Sequence, residues 1–288
     1  MTWTIGKILD WTTDYFKKFK IEWPHLEAEI LLAHALGLKR IELYTNHERI
    51  LTDEELSRFK GLIQRRSKHE PVAYITGYQP FMSLDFYVDR SVLIPRPETE
   101  KLVEVAIDAV KSPHVLRSAP LIADIGTGCG AIAISLAKYL PNIKVIGIDS
   151  SPEAIKIAQR NAEHHQVTDR SQFIVGNLFE PLKEKADIIV SNPPYIRSSE
   201  IDKLQTDVKD WEPRQALDGG EDGLDYIKKL IENAPGHLES KGLLLIEIGY
   251  DQGEKAKELA ENTKKYGEIK IIKDLNGKDR ILKATKPL

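Results

Sequence analysis

The chain has 288 residues, 41% hydrophobic and 30% charged, a length and mixture that suit a globular protein of about two domains and argue against wholesale disorder. Its 41 Lys and Arg against 44 Asp and Glu leave a net charge of −3, which disfavours a protein built to grip a phosphate backbone, so no stable nucleic-acid binding is expected. The single cysteine, Cys129, excludes an intramolecular disulfide; with no secretory leader at residues 1–7 and no apolar run of about 18 residues, the expected setting is the cytoplasm rather than a membrane.

Residues 1–70 read as a small helical domain. Pro24 sits where a first helical position wants it, Leu26, Ile30, Leu31 and Ala35 recur at helical spacing, and Gly37 ends the run. A second start follows at Thr52, with Glu55 completing a capping box and Leu56, Phe59, Leu62 and Ile63 forming an apolar stripe. Arg65, Arg66 and Lys68 then read as a solvated helix end, and Trp3, Trp11 and Trp23 mostly as core. Residues 71–97 change character. The β-formers Tyr74, Ile75, Phe81, Phe86, Tyr87 and Val88, broken by Gly77, Pro80, Pro95 and Pro97, predict a β-hairpin linker.

From residue 98 to 288 the chain alternates. Short apolar runs at 121–125, 144–148, 173–175, 187–190 and 243–248 predict buried parallel strands. Helical stretches at 130–139, 152–164 and 223–235 lie between most of them, so the fold class is α/β with helices on both faces of the sheet. The tail departs from this: two strand-like runs, 269–272 and 281–284, flank Asn276-Gly277 and predict an antiparallel hairpin. His164-His165 reads as a solvated pair at a helix end, and no metal site is expected.

Two turns carry the chemistry. The first is Gly126-Thr127-Gly128-Cys129-Gly130, between a strand and a helix. Glycines there let a ligand lie against bare backbone at a helix start rich in free N–H groups. Asp149 ends the next predicted strand, where a carboxylate can accept hydrogen bonds from both hydroxyls of a ribose. The pair points to a nucleoside cofactor, although the spacing is not that of the dinucleotide fingerprint. The second turn is Asn192-Pro193-Pro194-Tyr195, at the carboxyl end of a strand. Its two prolines remove N–H donors, leaving the Asn192 side-chain oxygen and bare carbonyls to accept from a ligand –NH2 group, with Tyr195 as a flat face over a planar ligand. Such a corner fixes a weakly nucleophilic amine or amide for attack on a methyl group. Cys129 reads as a small filler rather than a nucleophile.

Together these residues resemble the class I S-adenosylmethionine-dependent methyltransferases. More narrowly, the chain resembles the peptide chain release factor glutamine methyltransferases. The likeness rests also on Pro71-Val72-Ala73-Tyr74-Ile75-Thr76-Gly77, Ile94-Pro95-Arg96-Pro97-Glu98-Thr99-Glu100, Trp211-Glu212-Pro213 and Gly277-Lys278-Asp279-Arg280, and it covers nearly the whole chain. It implies a Rossmann-like seven-stranded methyltransferase sheet with an antiparallel C-terminal strand over residues 98–288. It also implies that the helical domain recognises a protein substrate.

The implied reaction is methylation of the side-chain amide nitrogen of the glutamine in the Gly-Gly-Gln motif of class-1 release factors. S-adenosyl-L-methionine would be the cofactor and S-adenosyl-L-homocysteine the product. By the same likeness Gly126, Thr127, Gly128, Cys129 and Gly130 would wrap the methionine part of the cofactor and Asp149 would hold its ribose. Asn177 and Leu178 would border the adenine, where some relatives carry an acid and an aromatic. Asn192 and the Pro193 carbonyl, backed by Pro194, would grip the substrate amide, with Tyr195 packed on it and Asn192 also bordering the cofactor. Glu98 and Glu100 become candidates for the active-site wall. An adenine amino methyltransferase would use the same corner and is the alternative.

Overall fold

The computed structural model describes residues 2–111 and 119–288. By internal contacts the chain divides into two units, Met1–Tyr78 with Gln205–Trp211, and Gln79–Leu204 with Glu212–Leu288.

In the first unit, capping and amphipathic spacing set the helices Ile5–Lys18, Pro24–Leu36, Arg40–Thr45, Asp53–Arg66 and Val72–Thr76. The Thr52 capping box forms: Glu55 N donates to Thr52 Oγ1 at 3.2 Å, and Thr52 N donates to Glu55 Oε2 at 2.9 Å. The apolar faces meet in a core that includes Phe16, Leu31, Leu32 and Phe59.

Three readings fail in this unit, the first being that of Tyr74 and Ile75, expected as β-formers of the linker but placed in the helix Val72–Thr76. Arg66 is no solvated helix end, being only 3% exposed. Its guanidinium donates to Glu27, to Asp207 at 3.4 Å and to the Glu70 carbonyl at 3.3 Å. A buried guanidinium needs such partners, and they come from three separate stretches of chain. Arg65 and Lys68 remain exposed, as read, although Arg65 makes two hydrogen bonds to the Glu70 carboxylate at 2.8 and 2.7 Å. Nor are Trp11 and Trp23 core, being 46% and 62% exposed, with Trp11 stacked on Tyr15, while Trp3 packs against the core partly buried.

The segment 205–211 belongs to this unit although the chain on either side of it belongs to the other. Besides the Asp207 contact, Gln205 Nε2 donates to Glu22 Oε2 at 3.0 Å.

A two-stranded hairpin, β1 (Tyr78–Phe81) and β2 (Leu84–Tyr87), turns through Met82 and Ser83, both at positive φ. The main sheet of the second unit follows. Its strands are β3 (Leu121–Ile125), β4 (Lys144–Asp149), β5 (Ser171–Val175), β6 (Ala186–Ser191), β7 (Leu238–Glu247), β8 (Ile269–Lys273) and β9 (Asp279–Thr285), in the order β5-β4-β3-β6-β7-β9-β8. Strands β3 to β7 pair in parallel, β9 pairs antiparallel with both β7 and β8, and so β9 alone is reversed. This is the predicted seven-stranded sheet, with the Asn276-Gly277 turn joining β8 and β9.

All five residues of β3 and all six of β6 are buried, as a strand covered on both faces requires. The helices Ala131–Tyr139, Pro152–His164, Asp225–His237 and Gly253–Thr263 follow the pattern read from the sequence or lie beside it, and Glu100–Lys111 precedes the sheet. His165 corrects another expectation. It is buried rather than solvated, with Nε2 3.0 Å from the Asp85 carbonyl and its ring against Phe86; burial holds its pKa below the usual value. No helix among the described residues is long and apolar enough to cross a membrane.

Candidate active site

Strand order reverses between β3 and β6: from β3 the chain builds outward to β4 and β5, then returns to the other side of β3 for β6. Ligands of open α/β sheets bind at such a switch, beyond the carboxyl ends of the strands. Ser191 Oγ closes the end of β6 onto β3 through a 2.6 Å bond to the Ile125 carbonyl. A cleft lies here, and its lining includes Gly126, Gly128, Asp149, Asn177, Leu178, Asn192, Pro193 and Pro194.

The glycine turn has two functions. Gly126 and Gly128 hold φ of +76° and +55°, and a Cβ built on either would meet nothing within 4 Å. Positive φ, not crowding, calls for glycine there, and the space over the bare backbone is open to a ligand. Gly130 differs: a Cβ would come within 2.8 Å of Ile134 and 3.2 Å of Ala158, so its role is close packing of helix on sheet. Gly126 N and Thr127 N both donate to the Ile148 carbonyl, at 2.8 and 3.0 Å, pinning the turn to β4.

Asp149 joins the two strands' ends. Oδ2 accepts from Gly128 N and Oδ1 from Ser151 N, each at 2.9 Å. Every carboxylate oxygen has a second lone-pair direction, so one acceptor position per oxygen remains for paired hydroxyls. Burial raises the Asp149 pKa, and the backbone N–H groups of Ser151, Gly128 and Ser150 work against that rise. Together with the open glycine backbone, this donor and acceptor set fits a ribose-bearing cofactor.

After β5, Asn177 donates to Glu180 at 3.2 Å, and Leu178 takes φ of +47° with its side chain partly packed on the core. At the end of β6, Asn192 Nδ2 donates to Thr99 Oγ1 at 3.0 Å, leaving Oδ1 as the amide's acceptor. Beside it Pro193 and Pro194 carry no N–H to compete with a ligand donor.

Four of the expected residues do not line the cleft. Thr127 is buried behind the turn, its hydroxyl on Asp124 at 2.7 Å. Cys129 is buried and its thiol is pushed up to about 12 by burial, which suits a filler and not a nucleophile. Gly130 is the packing glycine already described. Tyr195 turns its ring toward the core and its hydroxyl to Glu247 Oε1, 3.4 Å away; burial raises its phenol pKa further. Glu100 is likewise taken: its Oε1 accepts from Met82 N at 2.7 Å and so holds the hairpin turn.

Several residues with work near this corner were read from the sequence only as members of a motif, or not at all. Glu212 accepts from Ile94 N at 3.0 Å and from Arg96, bracing the 94–100 segment. Thr99 supports Asn192. Glu247, fully buried at the end of β7, is pushed up to about 7 by burial, while the Thr99 hydroxyl and the Arg280 charge oppose the rise. The signal was present as one acid inside the apolar run Leu243-Leu244-Leu245-Ile246-Glu247-Ile248.

The sheet order, its reversed strand and the paired turns at the switch define a Rossmann-like, S-adenosylmethionine-dependent methyltransferase. The fold is shared with a methyltransferase structure from Pyrococcus furiosus at a TM-score of 0.53 and 21% identity, covering 71% of this chain and 90% of that one. Residues 7–77 match the family described as PrmC N-terminal domain, and residues 110–208 match the methyltransferase small domain. A release factor glutamine methyltransferase of Rhodopirellula baltica is 45% identical over 286 residues, which is 99% of this chain and 97% of that protein. One from Geobacter sulfurreducens is 46% identical over 281 residues, 97% and 96% of the two chains. The chain belongs to the release factor glutamine methyltransferase family.

Proposed function

We propose that the chain methylates the side-chain amide nitrogen of the glutamine in the Gly-Gly-Gln loop of class-1 translation release factors, in the cytoplasm. The observation that carries this reading is the acceptor corner: Asn192 has its Nδ2 committed to Thr99, and two prolines follow it. Asn192 Oδ1 and the Pro193 carbonyl each take one hydrogen of the substrate –NH2 group. Holding both hydrogens fixes the plane of the amide and raises electron density on its nitrogen.

S-adenosylmethionine supplies, when bound, an electrophilic methyl group on a sulfonium centre. Gly126 and Gly128 leave backbone bare for it, Asp149 takes its ribose hydroxyls, and Asn177 and Leu178 border its adenine. Thr127, Cys129 and Gly130 act from behind, by holding the turn's shape. The methyl carbon–sulfur bond of the cofactor would break as the amide's carbon–nitrogen bond forms, S-adenosylhomocysteine would leave, and one of the two amide protons would pass to water afterwards, so no strongly shifted general base is required. Catalysis is then mostly positioning, which can contribute at best about 7–11 kcal/mol. The helical unit at the N-terminus recognises the body of the release factor.

The test is transfer of labelled methyl to three acceptors: a class-1 release factor, the same factor with its Gly-Gly-Gln glutamine replaced by alanine, and total nucleic acid. Label mapped by mass spectrometry to that glutamine, and absent from the other two, is the expected result. Label in nucleic acid would move the chain to the adenine amino methyltransferases and overturn the reading.

A further inference from the structure

The acceptor corner is stiff along its length. Pro193 and Pro194 each fix their own φ, and each restricts the residue before it, so Asn192-Pro193-Pro194 keeps few free torsions. Neither proline can donate a backbone hydrogen bond to the surrounding fold. Where the Pro193 carbonyl points is therefore set mainly at the two ends of the turn. The upstream end is fastened by β6: Ser191 pairs with Ile246 of β7, and its hydroxyl donates to the Ile125 carbonyl. The downstream end, Tyr195, needs an anchor of its own.

Gln252 supplies it. This residue stands at the N-terminal cap of the helix Gly253–Thr263, yet its side chain makes no capping bond. It reaches instead to three other stretches of chain and is only 3% exposed. Nε2 donates to the Tyr195 carbonyl at 3.0 Å and to the Gly223 carbonyl at 3.1 Å. Oε1 accepts from Gly249 N, just beyond β7, at 2.8 Å. The partners settle the direction of this amide, because a carbonyl can only accept and a backbone N–H can only donate. Both hydrogens of a buried amide are thus spent on backbone carbonyls, and one of those is the last carbonyl of the corner.

The segment 217–223 is shaped around the same point. Ile196 N donates to the Leu217 carbonyl at 3.1 Å, and Gly219 N donates to the Ile196 carbonyl at 2.8 Å. A Cβ on Gly219 would come within 2.8 Å of the Pro194 carbonyl oxygen and of Tyr195 Cα. One on Gly223, where φ is +74°, would collide with the Tyr195 carbonyl oxygen and stand 2.7 Å from Gln252 Nε2. Backbone runs directly against the exit of the corner at both positions, which only glycine permits.

We propose that Gln252 is a positioning residue that aims the acceptor corner. By holding the Tyr195 carbonyl, and the 217–223 segment with it, Gln252 fixes the direction in which Asn192 and the Pro193 carbonyl meet the substrate –NH2 group. The inference deepens the functional reading above and rests on it. Gln252 lies outside the lining of the cleft, so its removal should spare cofactor binding and act on the chemical step. A misplacement of about 1 Å, caused by a change away from the chemistry, can cost about 10²-fold in rate.

The experiment uses the full chain and a class-1 release factor, with folding followed by thermal melting. Gln252→Met keeps the length of the side chain and removes all three hydrogen bonds. It should lower kcat by about ten- to a hundredfold, while KM for the release factor and the calorimetric affinity for S-adenosylhomocysteine stay within about twofold. In an Asn192→Ala background the same substitution should cost no more than about threefold, because Gln252 acts through the corner; a merely structural loss would appear there in full. A folded Gln252→Met enzyme with wild-type kcat would overturn the proposal. So would a loss confined to KM or to cofactor affinity, or the full loss reappearing beside Asn192→Ala. If Gln252→Met does not fold, two other variants decide by the same split between kcat and KM. Gln252→Asn keeps the amide one methylene short of its three partners, and Gly223→Ala pushes on the Tyr195 carbonyl from the other side. Methylation of the glutamine by the wild-type chain tests the functional reading itself; the variants, measured against it, test the positioning.

Discussion

The two turns at the sheet's switch point stand a strand apart and solve opposite problems. The turn after β3 offers backbone: glycines at positive φ, with open space above them. The turn after β6 withholds backbone donors by placing two prolines in succession and offers acceptors instead. In the first, recognition is written in local conformation, and residues 126–130 with Asp149 suffice. In the second, it depends on which way one amide points, and the Nδ2 end of that amide is held by Thr99, far away in sequence. A site made of backbone is self-contained; a site made of an oriented side chain needs support from elsewhere in the fold.

The sharpest way to break this contrast is Asn192→Ala. It should cost at least ~10²-fold in kcat, comparable to losing one preorganised hydrogen-bonding group at a reacting centre. Cofactor binding should stay nearly intact by calorimetry. Equal damage to both would show that the two turns are not separate devices. Asp149→Ala comes next, on the other side: removing a charged hydrogen-bond acceptor costs about 1.5–3 kcal/mol, so cofactor affinity should weaken by about ten- to a hundredfold with kcat at saturation little changed. Gly126→Ala should act in the same direction but less, near tenfold, because a β-carbon at φ of +76° is strained by about 1–2 kcal/mol although nothing crowds it. A kcat effect larger than the binding effect would contradict the backbone reading.

The smallest effect concerns Asp124, beneath the glycine turn. Its Oδ2 accepts from Thr127 Oγ1 and Ala133 N, its Oδ1 has no partner among the described residues, and burial pushes its carboxyl up to about 7 from 3.8. The folded chain thus holds this proton more tightly than the unfolded chain does. Between about pH 4 and 7 the folded state binds more protons here, so this group's contribution to stability declines as pH rises through that window and is level above it. Asp124→Asn keeps an acceptor for Thr127 and removes the charge. Its Tm relative to wild type should therefore improve from pH 4.5 to 7.5 by a few degrees, at about 2–4 °C per kcal/mol for a unit of this size. A difference in Tm that does not vary with pH would refute the assignment.

How far the sequence could be read follows the same division. The strands were legible because β3 and β6 are buried on both faces and so appear as unbroken apolar runs. The run at 243–248 understated β7, whose first half, Leu238 to Gly242, carries Glu239, Ser240 and Lys241 and resembles a loop. The glycine turn and Asp149 were legible because their geometry is local. Glu247 was not, since an acid in an apolar strand declares nothing until the fold shows what it faces. Arg66 and His165 failed for the same reason: a charged or titratable side chain at a helix end looks solvated, and its partners Glu27, Asp207 and the Asp85 carbonyl are supplied from other stretches of chain.

The excursion of residues 205–211 has a consequence for modularity. Because this stretch is housed with the first 78 residues, the polypeptide backbone passes between the units three times rather than once. Neither unit is therefore a continuous stretch of gene. A transplant of residues 1–78 onto another catalytic scaffold would arrive without Asp207 and Gln205, and with the Arg66 guanidinium one partner short. Grafting between relatives should succeed only when residues 205–211 travel with the first 78, so recombination within this family is expected to respect two segments inherited as a pair.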